Sequence, residues 1–183
     1  MRRFLLPGLV ASAAVALLLL LAFGVARTAA NTSLEAQLAK GIDPVAPASY
    51  LRLPILGRQG TEDLADLRGK VVVVNMFASW CDNCAAEAGA LDQTQKEIAG
   101  RGGTVLGITY LDASLDSERY VKVHDITYPV LRDVDQKFGL AYGTSGVPET
   151  YVINRQGRVV AVARYQVTAS WLKSTVAPLL KHT

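Results

Sequence analysis

The chain holds only two cysteines, Cys81 and Cys84, in the stretch "SWCDNCAAE", with Trp80 ahead of them and Glu87 three residues behind the second. Two thiols at this spacing can close into a small disulfide ring and reopen. Thiol–disulfide exchange needs that property: one thiolate attacks a partner's disulfide and the other resolves the mixed disulfide. A β-branched run precedes the pair and a helical pattern follows it, so Cys81 is expected at a helix N-terminus. Free N–H groups and the helix dipole favour a thiolate there. Three other uses of the pair weigh less. A structural disulfide over so short a loop gains little from loop closure. Zinc asks for about four ligands, and His124 and His182 do not complete a set. Copper carriage by two thiols has no cluster of methionine or histidine behind it.

The elements around the pair alternate in kind. Residues 70–77, "KVVVVNMF", read as a strand buried on both faces, and a helix is expected from near Asp82 to Ala99, stopped by glycines. A second buried strand is expected at 104–111, a helix at 115–124, a short strand at 128–132 and a helix at 134–143. "ETYVI" and "RVVAVARY" flank "NRQG", which signals a hairpin, and residues 168–180 close the chain as an amphipathic helix. An edge strand is expected at 50–56, because Pro54 is poorly placed in a central one. The class is α/β, with a mixed sheet covered on both faces.

The 183 residues suit one domain plus an appendage, and no repeat divides them. The net charge of +3 comes from Arg2, Arg3 and Arg27, which flank an apolar run at residues 4–26; without them acidic and basic residues balance. Nucleic-acid binding therefore has no electrostatic support. As a helix the run would reach about 34 Å, enough to cross a bilayer. Residues 1–27 are expected as a signal anchor, 28–49 as a tether and 50–183 as the folded domain. The arginines at the start place the domain outside the cytoplasm, where disulfides persist. "TAAN" at 28–31 keeps peptidase cleavage open as an alternative to a retained anchor.

"DLRGKVVVVNMFASWCDNCAAE" and, further on, "GTSGVPETYVINRQGRVV" together resemble the membrane-anchored thioredoxin-like proteins of the TlpA, ResA and CcmG group, over roughly residues 45–180. The resemblance implies a thioredoxin fold with a strand–helix insertion after the active-site helix. It implies an extracytoplasmic thiol–disulfide oxidoreductase of a bacterial cytoplasmic membrane, reducing apocytochrome c or a maturation partner. A monomer without metal or cofactor is expected, re-reduced by a membrane-embedded thiol donor. Residue by residue, Cys81 would be the attacking thiol and Cys84 the buried resolving thiol. Glu87 would take and return the proton of Cys84, with its pKa raised if it is desolvated. Asn75 stands where cytosolic thioredoxins carry an aspartate, and it cannot accept a proton. Pro148 would be a cis-proline opposite the disulfide, with the backbone of Val147 binding an extended substrate segment. Glu149 would sense partner charge or merely begin a strand, and Trp80 would shield the outer sulfur or else lie in the core.

This sequence departs from that group in three places. Asp82-Asn83 replaces a proline-containing pair, Ala85-Ala86 replaces basic residues, and Gly89 stands where a proline is usual. The Asp82 charge and the lost basic residues both work against a Cys81 thiolate. The disulfide is then more stable and the couple more reducing. The alternatives are an oxidant that forms disulfides in exported proteins and a copper-carrying assembly module. A peroxidase is excluded, since Ala78 and Val74 occupy the places where peroxiredoxins carry threonine and proline.

Overall fold

The computed structural model describes residues 14–20 and 33–181. Residues 14–20 are helical, and the rest of the expected anchor lies outside the described residues. Among the described residues no helix is long and apolar enough to cross a membrane.

A five-stranded sheet forms the centre. Val71–Phe77 (β3) lies in its middle and every residue of the strand is buried, as its continuous β-branched run requires. Gly103–Thr109 (β4) pairs with it in parallel, and Val130–Arg132 (β5) pairs in parallel with β4. On the other side Glu149–Ile153 (β6) runs antiparallel to β3, and Val159–Ala163 (β7) antiparallel to β6. The order is β5-β4-β3-β6-β7. The parallel pairs need crossover helices, supplied by Asp82–Ile98 (α2) and Ser114–Val123 (α3). The α3–β5 element takes the edge beside β4, where the expected insertion belongs. The hairpin β6–β7 turns through Asn154, whose Oδ1 accepts from Gln156 N and Arg158 N, and Gly157 supplies the left-handed residue at φ 74°.

Strand parity divides the core in two. Val71, Val73 and Phe77 face one layer with Cys84, Ala88 and Leu91 of α2, Tyr120 of α3, and Leu172 and Val176 of the last helix, Ala169–Leu180 (α5). Val72, Val74 and Met76 face the other layer with Phe138 and Tyr142 of Lys137–Tyr142 (α4). Asn75 shares the parity of Val73 and Phe77. The only polar side chain of β3 is thereby aimed beneath α2.

Two expectations are corrected. The stretch expected as a tether is, from residue 33 on, packed against the domain. Ser33–Leu38 (α1) buries Leu34 in the second core layer, and Ala46 joins it. Val159 N donates to Pro44 O at 2.8 Å and Ala46 N to Gly157 O at 2.9 Å, so the segment docks along the hairpin. Its apolar residues are too widely spaced to show a period, yet the open face of the sheet gives them somewhere to go. The expected edge strand at 50–56 is reduced to Leu53–Pro54 (β1), paired with Thr61–Glu62 (β2) in a ribbon of its own. Pro54 lacks the N–H that a longer ladder needs, and Gly57 turns the chain back at φ 74°.

Candidate active site

β3 ends at Phe77, and residues 78–80 carry the chain to α2. Cys81 is the N-cap of that helix, with extended backbone at φ −100° and ψ 105°, and its Sγ accepts the Cys84 N–H at 3.1 Å. A sulfur thus sits where serine or aspartate oxygens usually satisfy a helix's free donors. Cys81 and Cys84 are joined as a disulfide with Cα atoms 5.2 Å apart. Cys81 is 8% exposed and Cys84 1%, so Cys81 is the more accessible of the pair.

Opposite the disulfide, the Val147–Pro148 peptide bond is cis, and Cys81 Sγ lies 3.6 Å from the Val147 carbonyl oxygen. From there an open groove runs between Asn83, Gly146, Pro148, Tyr165 and Gln166. Val147 and Pro148 thus line the groove, and the outer sulfur lies directly against the Val147 carbonyl.

Behind the disulfide lies Glu87, 1% exposed. Its place follows from α2, where 84, 87, 88 and 91 fall on the face turned to the sheet. Oε1 accepts from Asn75 Nδ2 at 2.7 Å, and Oε2 from Val167 N at 2.7 Å. Burial pushes its carboxyl up to about 7, against the pull of the Val167 and Asn75 hydrogen bonds. It is no solvated helix-face glutamate, and near neutrality it can both hold and release a proton. Asn75 also donates to Thr150 Oγ1 at 3.1 Å, so its amide fixes the carboxylate from the strand side.

Trp80 is 58% exposed, which removes it from the core, and its indole N–H donates to Leu111 O at 3.2 Å. Glu149 is turned inward. It is 2% exposed, accepts from Tyr151 OH and from Arg164 Nη1 at 2.8 Å, and the Ser145 N–H lies 3.4 Å away. Of its two expected uses the start of a strand fits, since Glu149 opens β6, and the charge-sensor use is corrected, because the charge is answered inside the chain. Arg164 reaches the groove wall and is also paired with Glu35 of α1. Sequence reasoning did not find Arg164, since nothing near the end of β7 marks it. It also missed Asp112, which accepts from Ser79 N at 2.8 Å and Ser79 Oγ at 2.7 Å. A signal was present there: Asp112 follows the carboxyl end of a buried parallel strand, where α/β sheets carry their sites.

Residues 46–162 match the AhpC/TSA family. The chain is 28% identical over 110 residues to the thiol-disulfide oxidoreductase ResA of Bacillus subtilis, covering 60% of this chain and 62% of that protein. The match thus spans about three fifths of that relative. To the thiol:disulfide interchange protein HelX of Rhodobacter capsulatus it is 32% identical over 138 residues, covering 74% and 76%. The crystal structure of a DsbF homologue from Corynebacterium diphtheriae superposes with a TM-score of 0.65 at 32% identity, over 74% of this chain and 86% of that one. Ala78, fully buried, holds the place of the peroxidase threonine and offers no hydroxyl to a peroxide, and Val74 fills the proline place. By sequence match, sheet order and superposition together, the chain belongs to the AhpC/TSA family and has the thioredoxin-like α/β fold.

Proposed function

We propose that this chain is an extracytoplasmic thiol–disulfide oxidoreductase that reduces disulfides of exported proteins, with apocytochrome c or a partner in its maturation as substrate. One observation carries the reading. A disulfide at a helix N-terminus has its outer sulfur 3.6 Å from the carbonyl of Val147, a residue that lines an open groove, while a carboxylate with its pKa raised to about 7 is buried on the same helix. The names of ResA and HelX support the reaction class. Residues 1–27 anchor the chain in the bacterial cytoplasmic membrane, with the domain on the outer side.

In the reduced enzyme the Cys81 thiolate attacks one sulfur of the partner's disulfide. That S–S bond breaks, a mixed disulfide forms, and the partner's other sulfur leaves as a thiolate that takes up a proton. Glu87 removes the proton of Cys84, whose thiolate then attacks Cys81 Sγ. That attack breaks the Cys81–partner bond, the partner's sulfur leaves as a thiolate and takes up the proton Glu87 holds, and the Cys81–Cys84 disulfide is restored. Two electrons have passed to the partner, which departs as a dithiol. A membrane-embedded dithiol returns the electrons. Val147 and Pro148 hold the partner's extended segment beside the sulfur, and Trp80 covers it from the solvent side.

The test is the reduction potential of the pair in the full chain, equilibrated against dithiothreitol or glutathione, together with trapping. A potential near or below about −200 mV, with Cys84→Ser accumulating mixed disulfides and Cys81→Ser inert, supports a reductant. A potential near −120 mV assigns the chain to the oxidants instead. Stoichiometric copper binding without disulfide turnover assigns it to the metal carriers.

A further inference from the structure

The turn after β4 carries a second set of contacts to the cysteine loop. Tyr110 N donates to Phe77 O at 2.8 Å, extending the β3–β4 pairing by one step. Leu111 then adopts a left-handed backbone at φ 48°. That conformation is unfavourable for a non-glycine residue. Its side chain is 53% exposed, so burial does not offset the cost. What the conformation achieves is direction. The Leu111 carbonyl meets the Trp80 indole N–H at 3.2 Å, and the Asp112 carboxylate meets Ser79.

Asp112 holds Ser79 twice. Oδ2 accepts the Ser79 N–H at 2.8 Å and Oδ1 accepts the Ser79 hydroxyl at 2.7 Å. Oδ2 also accepts the hydroxyl of Ser117, a fully buried residue of α3, at 2.7 Å, which fixes the carboxylate from its far side. Both residues immediately before Cys81 are therefore tied to one turn, 33 positions away from Ser79 in sequence. The Cys81 N–H in turn donates to Ala78 O at 3.2 Å, so the loop arrives at the helix already bonded along its length.

We propose that Asp112 is a positioning residue for the thiol chemistry, holding Ser79 beside the Trp80 that the Leu111 carbonyl holds, so that Cys81 Sγ stays at the N-terminus of α2. The inference rests on the thiol–disulfide reading above. Hydrogen bonds to a charged acceptor are among the stronger ones. Small displacements of a reacting group cost up to about a hundredfold in rate. A carboxylate beside the loop also acts as a charge, which opposes a thiolate. Positioning and charge therefore predict opposite shifts when Asp112 is removed.

The experiment is the rate at which the reduced full chain attacks a small nitrobenzoate disulfide, followed by the released coloured thiolate across pH. Such a probe needs no groove contacts. For Asp112→Ala we expect attack slowed roughly tenfold to a hundredfold, with the pH midpoint of the rate moved upward as Cys81 leaves the helix terminus. Asp112→Asn keeps an acceptor for the Ser79 N–H and a donor for its hydroxyl, and recovers most of the rate. Unchanged rates in Asp112→Ala overturn the proposal, and so does a downward midpoint in both variants, which is the signature of charge alone. Should Asp112→Ala not fold, Asp112→Asn and Ser79→Ala decide. Ser79→Ala loses a few fold in rate if the clamp acts, and a wild-type rate and midpoint in both variants overturn it. A wild-type chain that does not react removes the thiol–disulfide reading itself, and a reactive wild type with an equally reactive Asp112→Ala removes only the clamp.

Discussion

Asn75 in β3 and Glu87 on α2 meet through a hydrogen bond of 2.7 Å, each about 1% exposed to solvent. The strand supplies a donor at the one place where the helix buries an acid. Nothing in the bond is positively charged, so the carboxylate is held without being neutralised, and burial keeps its pKa near 7.

That value sets a pH dependence of stability. The folded chain holds the Glu87 proton more tightly than the unfolded chain does. Stability is therefore highest below the ordinary carboxylate range, falls as pH rises from 4.5 toward about 7, and stays low beyond it. Between about pH 5 and pH 8 the loss amounts to roughly 2–3 kcal/mol. Urea unfolding of the oxidised chain at both values checks it. Glu87→Gln abolishes the slope, although its amide leaves a donor facing Val167 N–H and lowers stability at both values by about 1–3 kcal/mol. A wild type equally stable at the two pH values contradicts the buried titration.

Arg164 and Glu35 are expected to differ sharply on mutation. Arg164→Met strands the buried Glu149 carboxylate without its cation and costs about 3–5 kcal/mol. Glu35→Gln removes an acid whose side chain is 36% exposed and costs under about 1 kcal/mol. Denaturant midpoints of the two variants and of Arg164→Met with Glu149→Gln measure this. The double variant recovers stability relative to Arg164→Met. Equal losses in the two single variants would show that the Glu149 charge is not buried in solution.

Asp92 pins α2 to the loop before β5. It is 5% exposed and accepts from Thr127 N at 2.9 Å, Thr127 Oγ1 at 2.6 Å and Lys96 Nζ at 2.6 Å. Burial alone would raise its pKa, but the bonds from Lys96 and Thr127 outweigh that and hold it below the ordinary value. Its stabilisation is present above the ordinary aspartate range and fades as pH falls through the depressed value, outside the window of Glu87. Asp92→Ala costs about 2–3 kcal/mol and Lys96→Ala under about 1 kcal/mol by chemical unfolding near pH 7. A larger loss from the exposed lysine would reverse this assignment.

Trp80 is expected to matter for partners more than for folding. With most of its ring in solvent, Trp80→Ala changes stability by less than about 1 kcal/mol. Attack on a protein disulfide slows several fold more than attack on a small one, because only the former packs against the indole. Equal slowing on both probes would show that Trp80 acts only through the loop that holds Cys81 and not as a partner contact.

The legible parts of this protein are local. A run of β-branched residues announced β3, the spacing of Cys81 and Cys84 announced the exchange chemistry, and "NRQG" announced the hairpin. Helical periodicity put Glu87 on the face of Cys84, and the structure puts both against the sheet. Each inference needed only the repeat of one element or the chemistry of one short segment. Partners of buried polar groups are decided otherwise, by which strands lie side by side and which segments close over them. Asn75 reads as a residue unable to accept a proton, and only strand parity and the α2 crossover turn it into the donor that holds Glu87. Glu149 reads equally as a charge open to partners or as the start of a strand until Arg164, 15 residues on, and Glu35, 129 residues before Arg164, converge behind it. Residues 33–49 read as tether because their apolar side chains have no period of their own. Burial against the sheet supplies the reason for their order, and that surface exists only once the chain has folded.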